Sequence, residues 1–248
     1  LTLGFPGAKG ATSGIVMKNV IHHGPLPKFA GLGMAVIEHT WEFDESLQKE
    51  LAKGFGSAQP ISAVSTVALD ASGTTEFKGA PASYTSGEQK VSWQGMIGVL
   101  RFTSNMDSYN GEFLAPQLSI SGKEGNVEIK GLALKADQRR MAGFEDMYLG
   151  KMVFTMESAA IKDATSDSRM EKMVIDTDAT SADNQFMDMR AAFRVAKLQT
   201  AEFDAGNVEY AFSMKHLHVP SLAALTKAMR DNQPKPGAGQ LDIASLVA

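Results

Sequence analysis

Apolar and polar residues alternate one by one along most of this chain. In "AVIEHTWEF", Ala35, Ile37, His39, Trp41 and Phe43 point one way, and Val36, Glu38, Thr40 and Glu42 the other. A period of two fits extended strand and no helix, so the chain is committed to sheet wherever the pattern holds. It resumes after Pro60, where "ISAVSTVALD" is rich in β-branched residues, "ASGT" turns and "TTEFKG" returns. "KVSWQGMIGVLRFT" reads as one strand interrupted at Gly95 and Gly98, where bulges or close packing are expected, and its Trp93 is expected to be buried. "LSISGKEGNVEIKGLALKAD" predicts a hairpin around "GKEGN". "LGKMVFTMESAAI", "MEKMVIDTDAT", "FMDMRAAFRVAKLQ" and "GNVEYAFSMKHLHV" continue the pattern, although the Ala, Met, Arg and Lys of the third also suit a helix.

Two segments break the period. "DESLQKELAKGFG" spaces Leu47, Leu51 and Phe55 by four, with Asp44 as a cap and glycines at 54 and 56 as the stop, which predicts a helix over 44–55. "PSLAALTKAMRDN" places Leu222, Leu225 and Met229 on one face, with Pro220 near the first turn, which predicts a helix over 220–231. "QPKPGAG" reads as a loop and "QLDIASLVA" as a short apolar tail.

Composition narrows the function classes. The net charge is −4 and no basic stripe is visible, so no nucleic-acid partner is expected. With no cysteine, disulfides, cysteine nucleophiles and thiolate metal sites are excluded. No run approaches the roughly 20 apolar residues that span a bilayer.

The candidate sites are few. "VIHHGPLP" pairs His22 with His23, but neighbours on a strand face opposite ways and Gly24-Pro25 ends the strand, so these histidines read as structural. His216 and His218 share a parity and form the better metal pair, for which Glu38 or His39 could supply a third ligand only through the fold. Asp176, Asp178 and Thr180 match the start of a calcium loop, yet Ser181 and Met187 stand where that loop needs glycine and glutamate. "GLGMAV" at 31–36 lacks the third glycine of a dinucleotide loop. No catalytic, cofactor-binding or metal residue is assigned, and no cofactor is expected.

The 14 methionines read first as filler of a β core, and second as the lining of a deformable apolar groove. Met152, Phe154 and Met156 form one apolar strip, with Met173 on the neighbouring strand. In "NVEIKGLALKAD", Ile129 falls out of parity with Leu132 and Leu134, so the sheet is expected to be apolar on both faces.

A weak echo links "MKNVIH" at 17–22, "IKGLAL" at 129–134 and "MKHLHV" at 214–219, and suggests two related halves over 12–135 and 136–230. Together with "VIHHGPLP", "VSWQG", "EIKGLALKAD", "YLGKMVFTMESAAI" and "MKHLHVPSLAALTKAM", in this order, the chain resembles the YdgA-like bacterial envelope proteins, a family of unknown function. The resemblance spans roughly residues 12–230. It implies a periplasmic region anchored in the inner membrane through a segment outside this chain, whose start "LTLGFPG" lacks an initiator methionine. It transfers no catalytic residue.

The expected architecture is one α+β domain over 1–248, dominated by long, curved antiparallel sheet with a few short packing helices. The expected function is a non-enzymatic envelope scaffold whose partner is another envelope protein or lipid. The alternative is a carrier or bridge for lipid or another hydrophobic ligand, and a hydrolase is the distant third.

Overall fold

The structure is a computed structural model that describes residues 2–6, 12–29, 31–43, 45, 48–49, 51–52, 56–57, 59–123, 125–144, 147–163 and 167–231. Fourteen strands form one antiparallel sheet. They are β1 (Thr2–Pro6), β2 (Thr12–His23), β3 (Ala35–Glu42), β4 (Ile61–Val67), β5 (Gly73–Gly79), β6 (Ala82–Ser86) and β7 (Gln89–Trp93), followed by β8 (Met96–Phe102), β9 (Ser108–Gly122), β10 (Gly125–Arg140), β11 (Tyr148–Asp163), β12 (Asp167–Thr180), β13 (Phe186–Gln199) and β14 (Asp204–His218). The sheet runs β1-β2-β3-β4-β5-β8-β9-β10-β11-β12-β13-β14. β6 continues the line of β5, and β7 that of β8, because Gly79↔Met96 and Ala82↔Trp93 keep one register. β9 pairs with β8 and then with β7, so "KVSWQGMIGVLRFT" is a single interrupted line. "FMDMRAAFRVAKLQ" is strand, with both neighbours laddered to it.

This is an open, mostly antiparallel sheet rather than a clean α+β fold. Substantial contacts join only neighbouring strands, apart from helix α1 (Val219–Asp231) against β14 and a 3-10 turn (Pro27–Phe29) against β2 and β3. The helix expected at 220–231 is α1. Of the one expected at 44–55, Glu45, Gln48, Lys49, Leu51 and Ala52 are helical, and the rest lies outside the described residues, as do "QPKPGAG" and "QLDIASLVA". Glu45 and Lys49 form an i,i+4 ion pair there. A cluster of buried side chains sits at one end, where Val219 at the start of α1 packs with Met141, Met147, Leu149 and Met187.

A seam crosses the sheet. The ladders skip rungs at the same level in pair after pair, and the register aligns Gly95, Pro116, Gly131, Glu157, Lys172, Ala196 and Asn207 along it. The backbone is left-handed there on alternate strands: Gly95 (φ 88°), Gly131 (φ 62°), Lys172 (φ 51°) and Asn207 (φ 54°). The apolar pattern changes parity at the seam on β9, β10, β11, β12 and β13. Residues of odd parity on one side of the seam then share a face with residues of even parity on the other. On β10 Val127 and Ile129 lie before the seam and Leu132 and Leu134 after it, and on β11 Phe154 and Met156 lie before it and Ala159 and Ile161 after it. The change of parity at Gly131 brings Ile129 into line with Leu132 and Leu134. Apolar residues still occupy both faces, as Val20, Val64, Ile97 and Leu114 are exposed on the face opposite Asn19, Ala63, Gly98 and Phe113.

Trp93 is half-buried rather than buried. It lies beside Pro81, Ala82 and Gln94 in a shallow depression, because among the described residues no second layer covers β7. The third position of the internal echo is left-handed in two of its three copies, Gly131 and His216.

Candidate binding face

One row of directly paired residues shows what the sheet presents. It runs Asn19–His39–Ala63–Phe77–Gly98–Phe113–Leu134–Phe154–Ile175–Phe193–Tyr210, from β2 to β14. Gly98 leaves room for its neighbour: a Cβ there would lie 2.3 Å from Phe113, whose ring packs on Phe77 at 5.1 Å between centroids. At about 4.8 Å between strands, the apolar part from Phe77 to Tyr210 extends roughly 34 Å. Beyond the seam a parallel row continues the face through Trp93, Leu118, Ile129, Ala159, Met170 and Leu198.

The opposite face is mixed, with exposed Val64, Ile97 and Leu114 beside polar rows. The row Thr66–Thr74–Arg101–Asn110–Asp137–Lys151–Asp178–Arg190–Ser213 is polar throughout. Lys135 pairs with Glu112 on that face, and Arg194 with both Asp176 and Glu209. Lys135 holds the Glu112 carboxyl below its ordinary range, and the two carboxylates raise the Arg194 guanidinium above its own.

Among the described residues no element makes substantial contact across the apolar face between Phe77 and Phe193. Met152 remains 42% exposed, Ile175 37% and Phe212 43%. A shallow apolar depression of about 120 Å³ lies on it, lined by Met96, Phe113, Leu132, Leu134 and Phe154 among others. The strip Met152–Phe154–Met156 therefore divides: Met156 is 7% exposed and sits opposite Met173, while Met152 is open.

The apolar row ends in a hydrogen-bonded chain that sequence reasoning missed. His39 Nδ1 lies 2.8 Å from Asn19 Oδ1, His39 Nε2 lies 2.7 Å from Ser65 Oγ, and Ser65 Oγ lies 2.7 Å from Thr75 Oγ1. With Asn19 Oδ1 accepting, Nδ1 carries the proton, Nε2 accepts from Ser65, and Ser65 accepts from Thr75. Ser65 and Thr75 are buried. Only the register could reveal this set, since four strands each contribute one member.

A hydroxyl on an imidazole nitrogen, with the other nitrogen on an amide oxygen, has the order of a nucleophile–base–orienter set. Acyl transfer also requires free donors aimed at an oxyanion. The backbone around Ser65 and Thr75 is engaged in the β3-β4, β4-β5 and β5-β8 ladders.

Burial pushes the His39 imidazole below its ordinary value of 6.5. In the unfolded chain His39 takes its proton near pH 6.5, whereas in the folded protein it does so only at lower pH. Its contribution to stability is thus present above 6.5 and lost as pH falls through the folded value. His39→Gln is expected to flatten that part of the acid destabilisation, read as urea midpoints at about pH 7.5 and about pH 5. An unchanged slope would mean that His39 titrates as it does in water.

The other histidines lie elsewhere. His22 and His23 end β2 at Gly24, and His22 comes within 3.7 Å of Glu38. His216 stacks on Phe186 at 3.9 Å, and His218 leans on the same ring and shares a hydrogen bond with Ser221. A bulge between Met187 and Met189 makes room for His216, whose backbone N–H donates to Asp188. Glu38 and His39, on β3, lie near the other edge of the sheet from His216 and His218 and join no metal set with them. Among the described residues no three His, Asp or Glu side chains are placed to hold a metal ion. Asp176 and Asp178 are laddered within β12, so the calcium-loop match is a strand.

The chain matches, over residues 3–245, the family model described as bacterial protein of unknown function (DUF945). It belongs to the DUF945 family. No curated protein and no solved structure matches this DUF945 chain. Its sheet, with the apolar row from Phe77 to Tyr210, is therefore the firmest guide to what a DUF945 protein of this kind does.

Proposed function

We propose that this protein is a non-enzymatic, YdgA-like module of the bacterial periplasm, anchored in the inner membrane, whose apolar sheet face holds the hydrocarbon part of a lipid or another hydrophobic ligand. The resemblance to the envelope family supports the location. The observation that carries the binding role is the uncovered apolar face running from Phe77 to Tyr210, with a polar row behind it. A sheet face of this size and composition is stable when something covers it. Among the described residues no helix is long and apolar enough to cross a membrane.

The test uses diphenylhexatriene, a fluorescent hydrocarbon with no polar group. The wild-type protein is expected to bind it, and Met152→Glu, at an open position on the face, to abolish binding while the protein stays folded by circular dichroism. Failure of the folded wild type to bind would remove the carrier reading.

The scaffolding reading has its own support in β14. This edge strand of 15 residues is exposed along most of its length. A free edge of that kind can accept a strand from a partner. Loss of a co-purifying partner on insertion of proline into β14, with diphenylhexatriene binding intact, would assign the protein to that role.

A further inference from the structure

We propose that the chain Asn19–His39–Ser65–Thr75 is the head-group end of the apolar face, and that the ligand it takes is an amphiphile with an uncharged, hydrogen-bonding head, such as the hydroxyl and ester groups of an acylglycerol. This rests on the reading of the face as a lipid-binding surface and adds the class of ligand.

Three observations carry it. First, the chain is continuous with the apolar row: His39 pairs with Ala63 and Ala63 with Phe77, where the aromatic stack begins. A head placed at His39 lays its hydrocarbon along Phe77, Phe113 and Leu134. Second, the chain has capacity to spare. Its internal bonds use one oxygen of Asn19 and leave the amide N–H groups of this exposed residue as donors, while buried Ser65 and Thr75 hold His39 in place behind it.

Third, the surroundings carry no fixed charge. Between Met17 and Gly79 no Lys, Arg, Asp or Glu stands on this face of β2, β3, β4 and β5; Lys18, Glu38, Glu42, Glu76 and Lys78 all stand on the other. A phosphate or carboxylate would be partly desolvated here without a counter-charge, which is unfavourable, whereas a hydroxyl or ester exchanges hydrogen bonds with water for hydrogen bonds with the chain. His39, held neutral by burial, fits the same uncharged site.

The experiment displaces bound diphenylhexatriene with 1-monooleoylglycerol or with oleate, which share one acyl chain and differ in the charge of the head. Monooleoylglycerol is expected to displace the reporter at lower concentration than oleate. Asn19→Leu, at an exposed position that burial does not constrain, is expected to weaken monooleoylglycerol about three- to tenfold relative to the reporter measured on the same variant, the loss of one or two hydrogen bonds. Ser65→Ala should act in the same direction. Equal or better displacement by oleate, or monooleoylglycerol displacement unmoved by Asn19→Leu, would overturn the head-group assignment and leave the apolar face standing. Absence of reporter binding to the wild type would overturn both.

Discussion

Valine at position 95 is expected to destabilise the protein by about 2–6 kcal/mol, the sum of a left-handed backbone penalty and an overpacking penalty. Gly95 has φ 88°, a region that disfavours a β-branched side chain. A Cβ there would lie 2.4 Å from the carbonyl oxygen of Gly79 and 3.2 Å from the nitrogen of Pro81. Both obstacles are backbone of the adjacent strand line, so no side chain can swing away to relieve them. Gly143→Val provides the comparison. Gly143 has a similar φ of 85°, but a Cβ there meets nothing within 4 Å, so only the backbone penalty applies. Urea midpoints should therefore fall further for Gly95→Val than for Gly143→Val. Equal shifts would show that the two strand lines do not approach closely at the seam.

Met156→Glu is expected to cost on the order of 2–7 kcal/mol, enough to unfold a marginal domain. Met156 is almost fully buried against Met173 and its neighbours, and a carboxyl there gives up water without gaining a partner of its own kind. Met152→Glu, four residues earlier on the same strand and face, should leave the thermal transition within a few degrees of wild type, because its position is open. The contrast separates the packed part of the face from the part free to hold a ligand. A Met156→Glu protein with a wild-type midpoint would mean that the row near the seam is open as well.

The period-two pattern by itself determined that the chain is sheet, where its turns fall and that the pairing is antiparallel, because each side chain's facing follows from its own strand and short connections leave neighbours no other direction. β9 ends at Gly122 and β10 begins at Gly125, both within "GKEGN", and Gly24-Pro25 ended β2 as their backbone limits require. The phase changes at Gly95, Gly131 and Lys172 are also written in the sequence, but alternation alone assigns Ile129 to the wrong face. A left-handed φ is a property of one backbone position, and two of the four along the seam fall on Lys172 and Asn207, which composition does not mark. Trp93 shows the same limit: alternation gives the face, and only the number of layers decides whether that face is covered.

The polar chain depended on tertiary structure altogether. His39 lies on β3, Asn19 on β2, Ser65 on β4 and Thr75 on β5, and their contacts follow from register across four strands. One residue of slip in any pair would send its member to the charged face and break the chain. The sequence carried the chemistry of each residue. The pairing of the strands set those residues at the end of an apolar row, because cross-strand distance is fixed by hydrogen bonds that no single strand contains.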